Sequence, residues 1–562
     1  MVARPGGGGR ETDHPERGGV PRKPQAQVKG TWHSRIREGY SECHAKTEAA
    51  KEPESLSGKG QAILIYPPVA KPCEPPAGIA KLAGSLRRHG LPFRIVDANI
   101  QCLLALLDEA PELCDTWTSR AYRHLSDHLR DLRRSEGYGH PDRYKRAVLD
   151  VNRVLEKSVH NEEIRVGLVN YADKTLSPLR SKDLLRAAEE PERNPFYTCF
   201  RKQFEPLEDE EPGTVGFSLN YLSQALCTFA MIGFLRRERP HLRIILGGGL
   251  VTSWMRRPEW KNPFSGLVDE MVAGPGEEAL VSFMGRTYST EVIPPEYDSF
   301  LEYPYFSPGL ILPYSASTGC YWRQCSFCPE KAEGNPYKPI APARAVEDVK
   351  GIGRRVKPAL VHFLDNAMSP SLLEELSTRP LDLPWYGFVR ITSHLADKNF
   401  CLSLKRSGCV MLKLGLESGD QEVLDRLQKG IDLETASRVL KSLKSAGIST
   451  YVYLLFGTPA ETYEKARKTL DFVVKHSGSI DFLNLAIFNM PLRNQEDQGI
   501  KTTPFYDGDL SLYTGFDHPS GWNRSLVRGF VEKEVRRHPA LAPILRRDPP
   551  LFTSNHAPFF CN

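Results

Sequence analysis

The segment STGCYWRQCSFCPE places Cys320, Cys325 and Cys328 in a C-x4-C-x2-C pattern. Thiolates bind soft metals, and a loop this short can wrap three of them around one metal centre. A structural zinc site normally closes a tetrahedron with four protein ligands. No fourth cysteine or histidine stands at the short spacing such a site uses. A 4Fe-4S cluster held by three thiolates instead leaves one iron open to a small molecule. The pattern therefore favours an enzyme with such a cluster, and the rival is a zinc- or cluster-bearing binding protein without turnover. The other cysteines, Cys43, Cys73, Cys102, Cys114, Cys199, Cys227, Cys401, Cys409 and Cys561, are scattered. They read as small buried or incidental residues.

Two alternating strand–helix series must position this loop. AILIYPP, from Ala62, is a short apolar run ending in prolines, as a buried strand requires. Ala77–Gly90 has helical spacing, with Gly90 as its stop, and Phe93–Asn99 is a second strand. A strand–helix–strand unit demands a right-handed crossover and a parallel sheet. Residues 103–213 turn charged and helical, an insertion in the first domain. Strand signals return at Thr214–Asn220 and Arg243–Gly249, with a helix over Ser223–Arg239 between them, and Glu270–Leu280 holds a final strand and the start of a helix. Residues 61–292 thus form an open α/β domain of about five strands, whose ligands are expected beyond the strands' carboxyl ends. A linker rich in proline and tyrosine spans 293–313.

The second series covers 314–491. Its strands are YSAST before Cys320, Val361–Ala367, Trp385–Thr392, Val410–Ser418, Tyr451–Gly457 and Phe482–Met490. Six such repeats suit a partial barrel with its chemistry at the carboxyl ends. Residues 1–60, rich in glycine, proline and mixed charge, read as a disordered tail. Residues 492–562, with a basic helix near Trp522–His538, read as a cap or tail.

The 562 residues exceed one ordinary core, and two or three domains are expected. Hydrophobic residues make up 40% and charged residues 25%, the balance of a globular protein. A net charge of +5 without a basic stripe gives no footprint for nucleic acid, which is not expected as a partner. No run approaches the roughly 18–20 apolar residues of a membrane span. Met1–Arg10 carries glycine in place of an apolar signal core, so a cytoplasmic location without a membrane partner is expected.

The cysteine segment, with Phe327 just before its last cysteine, resembles the radical SAM superfamily. The usual spacing there is C-x3-C-x2-C, and this chain has one more residue in the first gap. The resemblance implies that S-adenosylmethionine binds the open iron and is reductively cleaved to methionine and a 5′-deoxyadenosyl radical. It further implies a one-electron donor such as flavodoxin or ferredoxin, acting on an unknown small-molecule or peptide substrate. Later segments match as well. Leu364-Asp365-Asn366 stands where the family has a Gly-Gly-Glu-like turn, so Asp365 and Asn366 are candidates for the methionine amino group, with a capping role for Asp365 as the alternative. Arg390 ends a strand where relatives place a basic residue facing the site. Glu417 and Ser418 resemble the polar positions that hold ribose or methionine, with helix capping by Ser418 and Asp420 as the alternative. Leu455 and Gly457 match the turn that packs against adenine, and Asn489 is a weaker adenine candidate.

The first domain resembles the cobalamin-binding domain of one large branch of that superfamily. The implied architecture is a Rossmann-like, cobalamin-binding-like open parallel sheet followed by a partial (β/α)6 TIM-type barrel. Ser218, Gly247 and Gly248 match the cobalamin contacts, and small residues there permit close backbone approach. The Asp-x-His-x-x-Gly turn that gives cobalt a lower imidazole is replaced by Asp97-Ala98-Asn99-Ile100-Gln101-Cys102. Three outcomes stay open: cobalamin without a lower protein ligand, a domain that binds nothing, or one recruited for substrate. The enzyme expected is a radical SAM enzyme, with cobalamin-dependent methyl transfer as one form of its reaction.

Overall fold

The computed structural model describes residues 60–205, 213–257, 259–492, 499–552 and 556–560. The expected disordered tail over residues 1–60 lies outside them except for its last residue, as do Cys43 and Cys561.

Five strands build the first sheet: β1 (Ala62–Ile65), β2 (Phe93–Val96), β3 (Thr214–Ser218), β4 (Arg243–Gly247) and β5 (Glu270–Met271). Their order is β2-β1-β3-β4-β5, and every pair is parallel. All four residues of β1 are buried, as both faces of a central parallel strand must be. Helix Ala77–Arg88 makes the first crossover, burying Ile79, Ala80, Ala83 and Leu86. Helix Leu222–Glu238 makes the next, and its apolar residues are buried nearly all round. Between β2 and β3 the chain is mostly helical. The longest of these helices, Pro141–Ser158, begins with proline at its first turn, where no amide donor is needed.

Six further strands form the second sheet: β6 (Ile311–Tyr314), β7 (Leu360–Met368), β8 (Trp385–Val389), β9 (Cys409–Glu417), β10 (Ser449–Phe456) and β11 (Phe482–Ile487). They are parallel and run in chain order from β6 to β11, with β6 and β11 at the edges. This is the partial barrel expected from the six repeats. One strand differs from expectation. The first barrel strand begins at Ile311, inside the segment read as linker, and YSAST supplies only its last residue, Tyr314. Ser317–Thr318 turns away and pairs antiparallel with Lys338–Pro339. Pro313 within an ILPY run hid the strand, because proline signals a break unless it occupies an edge. β6 is such an edge.

Along β10 the side chains alternate. Val452, Leu454 and Phe456 are fully buried under the outer helices, whereas Tyr453 and Leu455 are half-buried. With period two, the half-buried row faces the inside of the barrel. The amino end of the barrel is closed by the C-terminal segment. The His556 ring lies 4.2 Å from Tyr451 and 4.5 Å from Phe482, beside a fully buried Ala557. The basic helix near Trp522–His538 is seen as Arg524–Phe530, running on into a wider turn over Val531–Val535. Among the described residues no helix is long and apolar enough to cross a membrane.

Candidate functional site

The three cysteines sit in the loop after Ser317–Thr318, each a free thiol and each partly exposed. Hydrogen bonds strap this loop to the end of the first helix after β9 and the turn that follows it. The Ser326 amide donates to Leu427 O at 3.0 Å, and Trp322 Nε1 donates to Gln428 O at 3.0 Å. Gly430 makes the second bond sterically feasible. Its φ is +63°, and a Cβ there would stand 2.3 Å from the Trp322 ring.

Charge gathers beside the loop. Arg390, at the end of β8, stacks its guanidinium 4.0 Å from the Trp322 ring and donates from Nη1 to Cys325 Sγ at 3.9 Å. Its Nη2 donates to the Lys429 carbonyl. Lys429 Nζ pairs with Glu417 Oε1 at 2.8 Å and lies 5.5 Å from the centre of the Phe327 ring. Burial raises the Cys325 thiol above its ordinary range, while Lys429 and Arg390 pull it back down. Burial also raises Cys328, opposed by the backbone amides of Lys331 and Glu330. Two cations and two amides aimed at sulfur are what a buried thiolate centre requires. Among the described residues no three histidine, cysteine or acidic side chains come together closely enough for a single metal ion. Three thiols with cationic neighbours are a donor set of the kind that soft metal centres use.

The other expected positions fall at the same end of the barrel, but not all are free. Asp365 is buried, and its carboxylate accepts from the Ala316 amide at 3.0 Å and from Ser317 Oγ at 2.5 Å. It latches the cysteine segment to β7. Asn366 is exposed and donates to Gly319 O at 3.3 Å, next to Cys320. Ser418 is fully buried, bonded to Thr469 Oγ1 at 3.1 Å and accepting from the Asp420 amide. Asp420 accepts from Val423 N as the cap of the next helix. These contacts are those of the capping alternative. Leu455 faces the inside of the barrel. Gly457, with φ +79°, donates its amide to buried Glu461, which also accepts from Trp522 Nε1 at 3.0 Å. Asn489 is held by Arg524 at 2.8 Å.

A cleft of about 770 Å³ opens over the carboxyl ends of β3 and β4. Ser218, Gly247 and Gly248 form its floor, with Gly274 and Gly276 beside them. Thr318, Gly319, Pro329 and Glu330, which bracket the cysteine segment on either side, also line it. Gly248 has φ +114°, and a Cβ there would lie 2.3 Å from Leu219 O, so only glycine fits. Asp97 and Asn99 do not line this cleft. Asp97 caps its helix and accepts from Tyr305 OH at 2.6 Å, while Asn99 bonds the backbone of Ala70. The turn that would carry a lower imidazole is filled by the tyrosine-rich segment.

Sequence reasoning missed Lys429, Trp322 and a buried group inside the barrel, Glu74–His362–Lys413. A signal existed for the last of these: Lys413 and His362 are polar residues set in otherwise apolar strands.

Residues 314–473 match the family model described as the radical SAM superfamily. The anaerobic magnesium-protoporphyrin IX monomethyl ester cyclase of Rubrivivax gelatinosus is 24% identical over 223 residues, 38% of this chain and 40% of that protein. The bacteriochlorophyllide d C-12(1)-methyltransferase of Chlorobaculum tepidum is 24% identical over 258 residues, 43% of this chain and 56% of that protein. The chain thus spans about half the length of these curated relatives. The solved radical S-adenosylmethionine methyltransferase TsrM of Kitasatospora setae, with cobalamin and a [4Fe-4S] cluster bound, superposes at a TM-score of 0.49. It is 15% identical, with 81% of this chain and 82% of that one covered.

Proposed function

From the radical SAM domain that residues 314–473 form, we propose that this chain is a radical SAM enzyme with a corrinoid cleft, transferring a methyl group or making a related radical-based modification. Cys320, Cys325 and Cys328 would hold a 4Fe-4S cluster at the barrel's mouth. When bound, the cluster supplies the electron that cleaves S-adenosylmethionine.

The chain's own residues do the placing. Arg390 and Lys429 offset the negative charge of thiolate ligands, and Trp322 fixes the loop against the turn at Gln428–Gly430. Asn366, Glu417, Leu455 and Gly457 remain the candidates to hold S-adenosylmethionine, since they share the carboxyl end with the cysteines. Phe327, whose ring lies 5.5 Å from Lys429 Nζ, would stand beside the cluster. The barrel interior below is the chamber for substrate, with flavodoxin or ferredoxin as the class of electron donor.

Ser218, Gly247 and Gly248 suit a large flat ligand that lies against backbone. The cleft's volume falls in the range of small-molecule and cofactor sites, roughly 300–1,000 Å³. A cobalamin there would receive no lower ligand from Asp97 or Asn99, since both are committed elsewhere. One observation carries the proposal: residues on both sides of the cysteine segment, Thr318, Gly319, Pro329 and Glu330, line the glycine-floored cleft, so both cofactors would lie near one boundary. Anaerobic protein reconstituted with iron, sulfide and hydroxocobalamin tests it. Bound corrinoid together with S-adenosylmethionine turnover supports it; a protein that retains neither contradicts it.

A further inference from the structure

A positive charge without a matching carboxylate lies beside the cysteine loop. Arg390 directly follows β8 and is only 6% exposed. Among the described residues its guanidinium forms no ion pair with an acidic side chain. It donates instead from Nη2 to the Lys429 carbonyl and from Nη1 to Cys325 Sγ at 3.9 Å. A further neighbour, Tyr321, is an uncharged phenol. A guanidinium cannot shed its proton, so a buried one ordinarily meets a carboxylate. Lys429, the buried cation next to it, follows that rule and pairs with Glu417 at 2.8 Å. Arg390 breaks it, and the group it points at is a sulfur.

The guanidinium is also held in place. Trp322, inside the first gap of the cysteine motif, lays its ring 4.0 Å from the guanidinium carbon. The indole is tied in turn by Nε1 to Gln428 O at 3.0 Å. Beside it, Arg323 turns the loop with φ +50°, a conformation that costs a residue with a side chain. The carbonyls of Gln428 and Lys429 thus secure the indole and the guanidinium together. A planar fork can stack and donate along two edges at once, whereas a lysine ammonium is a single point charge. Lys429 also acts on Cys325, but Glu417 opposes it. The uncompensated charge is that of Arg390.

We propose that Arg390, clamped by Trp322, is the countercharge of the Cys325 thiolate and raises the reduction potential of the iron–sulfur centre proposed above. This rests on that centre being the one the three cysteines hold. One electron from a donor of the flavodoxin or ferredoxin class makes the centre more negative by one charge, and no protein bond is broken. A fixed cation and an N–H donor on a ligand sulfur favour the more negative state. Arg390 therefore eases electron uptake at the cysteine loop. Because it is always protonated, it does so at every working pH.

A redox titration tests the proposal without knowledge of the substrate. Full-length protein reconstituted anaerobically with iron and sulfide is titrated with mediators in the absence of S-adenosylmethionine. The reduced centre is counted by electron paramagnetic resonance, and iron is measured on the same samples. Arg390→Gln removes the charge and should move the midpoint potential to a more negative value. Arg390→Lys keeps the charge but loses the fork, and its midpoint should fall between the two. That ordering is the signature of charge, since a merely structural role would not be rescued by lysine. A loaded centre whose midpoint ignores both substitutions overturns the proposal. An unchanged midpoint with weakened S-adenosylmethionine binding also overturns it, and assigns Arg390 to that ligand. Loss of iron from both variants while the wild type stays loaded assigns Arg390 to assembly and overturns it as well. All three results leave the proposed enzyme standing. A wild-type chain that assembles no centre contradicts the proposed function itself and takes this inference with it.

Discussion

The two sheets present their carboxyl ends in opposite ways. The first ends in Ser218, Gly247 and Gly248, where side chains are small or missing and the backbone itself is offered. The second ends in Asp365, Arg390 and Glu417, where charged side chains gather beside three thiols. A surface stripped of side chains suits a broad ligand held by shape and backbone contact. A surface crowded with paired charges suits a small, charged centre whose protonation must be controlled. The contrast teaches that one fold type, a parallel sheet, can end in bare backbone in one copy and in paired charges in the next.

Breaking the second sheet's end should leave the first intact. Cys320→Ala, Cys325→Ala and Cys328→Ala should each reduce cluster iron and S-adenosylmethionine cleavage to background, while corrinoid uptake persists. Iron analysis and corrinoid absorbance on the same samples check this. Lys429→Ala strands the buried Glu417 carboxylate and should cost about 3–5 kcal/mol of stability, read from denaturant unfolding.

Glu461 sharpens the contrast through pH. Burial raises its carboxyl to about 7 from an ordinary 4.5, against the two donors, Gly457 N and Trp522 Nε1, that reach Oε2, while buried Oε1 has no hydrogen-bond partner among the described residues. The fold therefore favours the protonated acid. Its stabilising effect is intact below about pH 4.5 and is lost as pH rises through about 7, up to roughly 3 kcal/mol. Glu461→Gln should flatten that stretch of the stability–pH curve. The smallest effect is expected in the first sheet. A Cβ at Gly247 would touch only Val272, at 3.7 Å, so Gly247→Phe should fold normally and enter the cleft. Corrinoid affinity should fall at least tenfold, about 1.4 kcal/mol, with iron content unchanged by elemental analysis.

Local pattern made most of the fold legible. Apolar runs such as AILI and VMLKLGLE are strands because they must be buried on both faces, and the cysteine spacing needs no structure to be noticed. The first barrel strand was obscured by Pro313, whose edge position is a tertiary fact. At the site, Asp365 and Ser418 stand where expected, but their hydrogen bonds go to Ala316, Ser317, Thr469 and Asp420. No linear pattern reveals such commitments. Pairings between distant residues were equally hidden. Glu417 was visible but its partner Lys429 was not, and Glu74, His362 and Lys413 lie in three different elements whose meeting depends on how the loop after β1 enters the barrel.

The central claim is that three thiolates hold a four-iron cluster with one iron open. Mössbauer and electron paramagnetic resonance spectra of anaerobically reconstituted protein, taken before and after adding S-adenosylmethionine, test it most directly. The account predicts four irons per chain, with one site changing its environment on addition. A single tightly held zinc, or a cluster whose spectrum ignores S-adenosylmethionine, would contradict it.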